Sequence, residues 1–202
     1  MKAIIQVLNQ KMSNLRFFVY LLVAFALILT STVVVLLNSL NYYEPADTFY
    51  SKAPGQPKSF LYVSPKEGRY SVGDEFTVDV LVNTAGSDVV ATAAYLSFNK
   101  SAMQAVSIDT SDSAFIMDAE KEVNNEQGKI KITIGKPTPG VRDNAAKVAT
   151  IHFKALEKTN PILENISFDF TKGSSLYSTI IIDDKKGTNI LSTTQGSKIF
   201  IN

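Results

Sequence analysis

The chain has 202 residues, 45% of them hydrophobic and 19% charged, with 20 basic and 19 acidic side chains for a formal charge of +1. It holds no cysteine, no tryptophan and one histidine, which excludes a disulfide framework and a thiolate metal site. No basic excess points to nucleic acid as a partner, and the length allows one domain plus an extension.

The extension comes first. Phe17 to Leu37 is an uncharged apolar run of 21 residues. At about 1.5 Å per residue a helix there reaches about 30 Å, the thickness of a bilayer's hydrocarbon core. A cleaved signal peptide would have a shorter apolar region followed by small residues at a cleavage site. Here Ala24-Phe25-Ala26 lies inside the run and Asn38-Ser39-Leu40 is a poor site, so an uncleaved single-pass transmembrane helix is expected. Lys2, Lys11 and Arg16 precede it, whereas Glu44 and Asp47 follow with no basic residue before Lys52. Positive-inside orientation then makes residues 1–16 a short cytoplasmic segment and puts the C-terminal portion outside the cell membrane. That portion carries all 19 acidic residues against 17 basic ones, a formal charge of about −2. Residues 38–57 hold three prolines, one glycine and no hydrophobic period, and read as a linker. Tyr42 and Tyr43 within it suit headgroup depth.

From Lys58 the pattern becomes period two. Ser59 to Ser64 is a first strand, followed by turns at Pro65-Lys66-Glu67-Gly68 and Val72-Gly73-Asp74. Glu75 to Asn83 sets Phe76, Val78, Val80 and Val82 on one face, as a half-buried antiparallel strand requires. After a loop at Gly86, Ala91 to Phe98 points Ala94, Leu96 and Phe98 inward and Ala93, Tyr95 and Ser97 outward. Asn99-Lys100-Ser101 turns the chain, with the Asn99 side chain suited to bond its own backbone two residues on. The next strand buries Met103, Ile108 and either Ala105 or Val106. Asp109 to Gly128 is an acidic excursion too long for a simple hairpin loop, and a short strand or helix is expected inside it. Lys129 to Gly135 points Ile130, Ile132 and Ile134 in and Lys129, Lys131 and Thr133 out. Lys147 to Leu156 buries Ala149, Ile151, Phe153 and Ala155 and turns His152 outward. Later strands are expected at Ile166 to Phe170, Ser174 to Ile182, Thr188 to Leu191 and Ser197 to Ile201, the last pairing with the first and returning the C-terminus to the linker. Eight to ten short strands and no helix after residue 40 predict an all-β domain at 58–202, a two-sheet antiparallel β-sandwich or jelly roll.

Several motifs resemble a known family. Gly68, Val72, Gly73, Asp74, Phe76, Val78 and Val80 match the G-x-x-x-V-G-D-x-F-x-V-x-V string that opens cohesin modules and the related carbohydrate-binding sandwiches. KIKITIGKPTPGV, AKVATIHFKAL and IIIDDKKGTNIL are similar to later strands and the final hairpin of that family. The chain departs from the pattern after Phe98, where Asn99 replaces an aspartate, Ser101 a proline-like position and Met103 a leucine. The resemblance implies a cohesin-like binding module in which one sheet face recognises a dockerin-like protein. In this chain the corresponding strip is Ala93, Tyr95 and Ser97 with Lys129, Lys131 and Thr133, and Tyr95 is the anchor candidate.

Catalysis finds no support. The lone His152 falls on an outward strand face, and nucleophilic chemistry needs a base beside its nucleophile. Asp109, Asp112, Asp118, Glu120, Glu122 and Glu126 read as solvated in one loop region rather than converging in a cleft. No enzyme activity and no cofactor are expected; calcium held by acidic-loop and carbonyl oxygens is the alternative. Two further function classes stand beside the cohesin reading. Direct polysaccharide binding is weakened by the missing tryptophan and by Tyr62, Tyr70, Tyr95 and Tyr177 being scattered in sequence. A pilus-like or surface-layer subunit is weakened by Asn14-Leu15-Arg16 before the apolar run and by no glutamate inside it.

Overall fold

The computed structural model describes residues 58–202; the expected cytoplasmic segment, transmembrane helix and linker lie outside the described residues. Twelve strands follow one another: β1 (Phe60–Ser64), β2 (Glu67–Tyr70), β3 (Glu75–Asn83), β4 (Val89–Phe98), β5 (Met103–Asp109), β6 (Met117–Asn124), β7 (Lys129–Gly135), β8 (Ala146–Ala155), β9 (Ile166–Phe168), β10 (Thr179–Ile182), β11 (Thr193–Gln195) and β12 (Lys198–Ile201). No helix occurs among the described residues. One sheet runs β11-β1-β3-β8-β5 and the other β10-β4-β7-β6, with β9 also on β4; β2 and β12 make a short separate pair.

The alternation expected for the long strands is realised. Phe76, Val78, Val80 and Val82 of β3, Ala94, Leu96 and Phe98 of β4, Ile130, Ile132 and Ile134 of β7, and Ala149, Ile151, Phe153 and Ala155 of β8 are all buried in one core. Each large side chain removed from water there contributes about 1.5–3 kcal/mol. Phe153 sits at the centre, stacked on Phe76 at 5.5 Å and met edge-on by Phe98 at 5.4 Å. Tyr70 extends the stack over Phe76 at 4.2 Å.

Bulges decide what alternation alone leaves open. Opposite β8, Ala105 pairs with Phe153 and Ser107 with His152, so Val106 is the extra residue and is exposed while Ala105 is buried. Val148 is the extra residue against β3, which buries Val148 and Ala149 in succession. In β6, Asp118 pairs with Ile134 and Glu120 with Thr133, leaving Ala119 unpaired.

The short element expected inside Asp109 to Gly128 is edge strand β6, and Asp118, Glu120 and Glu122 stand on it rather than in a loop. Four readings of the sequence are corrected. Ser174 to Ser178 are not strand; β10 begins only at Thr179. The turn expected over Pro65 to Gly68 is confined to Pro65 and Lys66; Glu67 and Gly68 already belong to strand β2, paired in parallel with β12, a partner remote in sequence that no local pattern announces. Thr188 to Leu191 is not a strand; Asn189 makes an isolated bridge to Ile181 and its Oδ1 accepts from the Ile180 amide at 3.1 Å. The last strand pairs with β2 rather than β1, and β11 is the one beside β1. Both pairings are parallel, so Asn202 lies at the Ser71–Gly73 turn, the end of the sandwich opposite Lys58.

Candidate functional site

The outward faces of β4 and β7 meet in direct register: Ala93 opposite Thr133, Tyr95 opposite Lys131 and Ser97 opposite Lys129. All six residues of the expected strip are half-buried and share one face. The adjoining strands add residues that the sequence did not mark.

On one side lies β6. Its bulge at Ala119 moves Glu120 and Glu122 onto the outer face beside Thr133 and Lys131. Without the extra residue, parity would set Lys121 against Lys131, a like-charge pair. As built, Glu120 Oε2 accepts hydrogen bonds from the Tyr95 hydroxyl at 3.0 Å and the Thr133 hydroxyl at 3.2 Å. Lys131 Nζ lies 3.3 Å from Glu122 and 3.8 Å from Glu120. The bond to Glu122 and both carboxylate charges raise the Lys131 pKa and keep the ammonium protonated.

On the other side, Asp169 follows β9. Lys129 Nζ donates to both its carboxylate oxygens at 2.8 and 3.0 Å and to Ser97 Oγ at 2.7 Å, while Ser97 Oγ donates to Asp169 at 2.5 Å. The two lysines are therefore neutralised by three carboxylates from neighbouring strands and loop. The face is not a basic patch.

A depression of about 340 Å³ opens over this lattice, lined among others by Tyr95, Lys129, Lys131, Asp169, Leu176 and Tyr177. Tyr95 and Tyr177, scattered in sequence, share it. Leu176 and Tyr177 project from the segment between β9 and β10 and were missed because the sequence reads them as part of a strand over Ser174 to Ile182, which in fact begins at Thr179. Glu120 and Glu122 were missed because the bulge breaks the period that would reveal β6.

His152 faces outward from the other sheet, as its strand parity requires, and lines a second hollow of about 170 Å³ with Glu75, Thr77, Val106 and Ser107. Ser107 stands opposite it in register. Among the described residues no group of three or more His, Asp or Glu side chains is placed to hold a metal ion.

The turns that carried the family resemblance are intact. Gly73 adopts a φ of +93°, the Asp74 carboxylate accepts from the Ser71 amide at 2.8 Å, and the Gly73 amide donates to the Ala155 carbonyl at 2.9 Å. Asn99 Oδ1 accepts from the Ser101 amide at 3.1 Å, so asparagine serves this turn as an aspartate would. At the final hairpin Asp184 gathers the Thr188 hydroxyl and the Lys186 amide, which pulls its pKa from 3.8 to about 2.

The cohesin-domain family model matches residues 63–196. The chain belongs to the cohesin-domain family. Among solved structures it is similar to the non-cellulosomal cohesin of the hyperthermophilic archaeon Archaeoglobus fulgidus, with a TM-score of 0.51, 15% identity, and coverage of 72% of this chain and 91% of that one. It is likewise similar to a chain of a type I cohesin–dockerin complex from Clostridium thermocellum, with a TM-score of 0.51, 11% identity, and coverage of 79% and 99%. At these identities the likeness is one of fold. No curated protein matches the chain. In this cohesin domain Tyr95, Lys129 and Lys131 of the strip, Glu122 of β6 and the Leu176–Tyr177 projection line one depression, with Ala93, Ser97, Thr133 and Glu120 adjoining on the same face.

Proposed function

We propose that this cohesin domain is a binding module that recognises a dockerin-like protein on the β4–β7 face. The carrying observation is the in-register strip centred on Tyr95 and Lys131 beside an amphipathic depression, on a face whose lysines are already held by Glu120, Glu122 and Asp169. Such a face offers an oriented aromatic and pre-paired charges without a buried lone ion. Solved cohesins bound to dockerins support the choice of partner.

The apolar run Phe17 to Leu37 supports a further part of the same reading: a single-pass anchor with a cytoplasmic N-terminus and an extracytoplasmic domain. So placed, the module tethers a polysaccharide-related assembly at the cell surface. Its work is binding, with no cofactor.

The test is dockerin binding by the full chain and by Tyr95→Ala and Lys131→Glu variants. Each substitution is expected to weaken binding by about tenfold or more; unchanged binding to every dockerin that the wild type captures would refute the site. Membrane fractionation with protease protection of a tag at residue 1 tests the anchor, and recovery of the full-length chain in the soluble fraction would refute it. A second reading, direct binding of a soluble glycan chain, is favoured by Tyr95 and Tyr177 sharing the depression with Asn124 and Gln127. Unretarded migration in affinity gels containing soluble polysaccharides would rule against it.

A further inference from the structure

The segment between β9 and β10 is longer than the sheet needs. Phe168 pairs with Leu96 and Thr179 with Ala93, so both strands lie along the same side of β4. Three residues of β4 span about 10 Å at the strand rise. Ten residues, Asp169 to Ser178, cover that distance, and most of them leave the sheet.

Their ends are pinned. The Asp169 amide donates to the Tyr95 carbonyl at 2.7 Å, and the Ser178 amide donates to the Asp169 carbonyl at 3.0 Å. Ser178 is fully buried; its hydroxyl accepts from the Tyr95 amide at 3.0 Å and donates to the Tyr95 carbonyl at 3.2 Å, standing in for a strand partner. Phe170 packs against the core. The tip is shaped from within: the Ser174 amide donates to the Thr171 carbonyl, the Leu176 amide to Ser174 Oγ at 3.1 Å, and Asn189 Nδ2 to the Ser174 carbonyl at 3.1 Å. This ordered excursion nevertheless leaves Leu176 79% and Tyr177 43% exposed, both beside the depression with Tyr95, Lys129 and Lys131.

We infer that the Asp169–Ser178 excursion sets partner specificity: Leu176 and Tyr177 select a dockerin-type module that presents an aliphatic or aromatic side chain to the depression. This rests on the dockerin reading of the β4–β7 face. Two physical points carry it. The excursion is held at both ends, so docking on it does not first require ordering a loose loop. A charged partner side chain seated there would be desolvated against Leu176, because Lys129, Lys131 and Asp169 are engaged with one another or with Glu122, and such a mismatch rejects the wrong partner. Leu176 argues for protein over glycan, since an aliphatic side chain offers a sugar neither a flat ring nor a hydrogen bond.

The experiment uses the full chain immobilised for biolayer interferometry against a panel of purified dockerin modules that includes the one from the Clostridium thermocellum complex. The variants are Tyr95→Ala, Leu176→Ser/Tyr177→Ser, and Ser175→Ala as an exposed control in the same excursion. The double variant is expected to lose roughly 10- to 100-fold in affinity for the tightest dockerin. Ser175→Ala should stay within about twofold and both should melt as the wild type does. Amides of the excursion tip should gain hydrogen-exchange protection in the complex. If Tyr95→Ala weakens binding while the double variant does not, the specificity assignment fails and the face stands. If the wild type binds no dockerin, or only glycan, both fail.

Discussion

Ser178→Ala should loosen the excursion at its buried end. Its hydroxyl is the acceptor for the Tyr95 amide at 3.0 Å, and alanine leaves that N–H beside a fully buried position without a partner. An unsatisfied buried donor costs about 1–3 kcal/mol. The Tyr95 carbonyl adds less, because it keeps the Asp169 amide at 2.7 Å. A total near 2 kcal/mol lowers a urea midpoint by about 1 M at an m-value of roughly 2 kcal/mol/M. It lowers the melting temperature of a domain of this size by roughly 5–8 °C. Equilibrium urea unfolding of residues 58–202, followed by Tyr fluorescence and far-UV circular dichroism, measures this, with Ser175→Ala as the exposed reference. Hydrogen exchange adds a local readout, since the Tyr95 amide should exchange far faster in the variant. A midpoint within about 0.2 M of the wild type, with Tyr95 still protected, would refute the bridging role of Ser178 and the pinning of the excursion with it.

Two further predictions concern turns. Asp184 has a folded-state pKa of about 2 against an ordinary 3.8, so its contribution is complete above about pH 4 and is lost as pH falls toward 2. Asp184→Asn should therefore flatten the acid limb of a melting-temperature profile between pH 4 and 2, and an unchanged slope there would contradict the Thr188 and Lys186 bonds as its source. Gly128 adopts a φ of +66° and an added Cβ would lie 2.5 Å from the Phe98 carbonyl oxygen, whereas at Gly86, with a φ of +79°, it would meet open space. Gly128→Ala should accordingly destabilise by about 2 kcal/mol or more and Gly86→Ala by about 1; equal losses in urea unfolding would mean that the close approach to Phe98 is relieved without cost.

Much of the sandwich was legible in sequence because a strand buried on one face writes its parity into its residues. Glu75 to Asn83, Ala91 to Phe98 and Lys129 to Gly135 alternate so strictly that their inward and outward sets could be assigned residue by residue; in Lys147 to Leu156 the same parity holds from Ala149 onward, and the inward residues so assigned are all buried, while the bulge buries Val148 as well. The same parity turned Ala93, Tyr95 and Ser97 outward on one strand and Lys129, Lys131 and Thr133 outward on another; the family resemblance joined them in one strip, and the β4–β7 register puts them together. Tertiary structure decided what lies beside them. The edge strand β6 has no apolar period because its bulge at Ala119 shifts parity partway along, and only the pairing with β7 sets Glu120 and Glu122 over Thr133 and Lys131. β2 acquires strand form from β12 across the length of the domain, and the parallel sense of that pairing carries Asn202 away from Lys58. Most of the excursion from Asp169 to Ser178 reads in sequence as strand, and only the finding of Phe168 and Thr179 both on β4, three residues apart, forces Leu176 and Tyr177 out beside Tyr95. Local sequence determined which way each long strand faces, because burial acts on every second residue. Register and bulges, which depend on partners far along the chain, decided the charge and the apolar rim of the face.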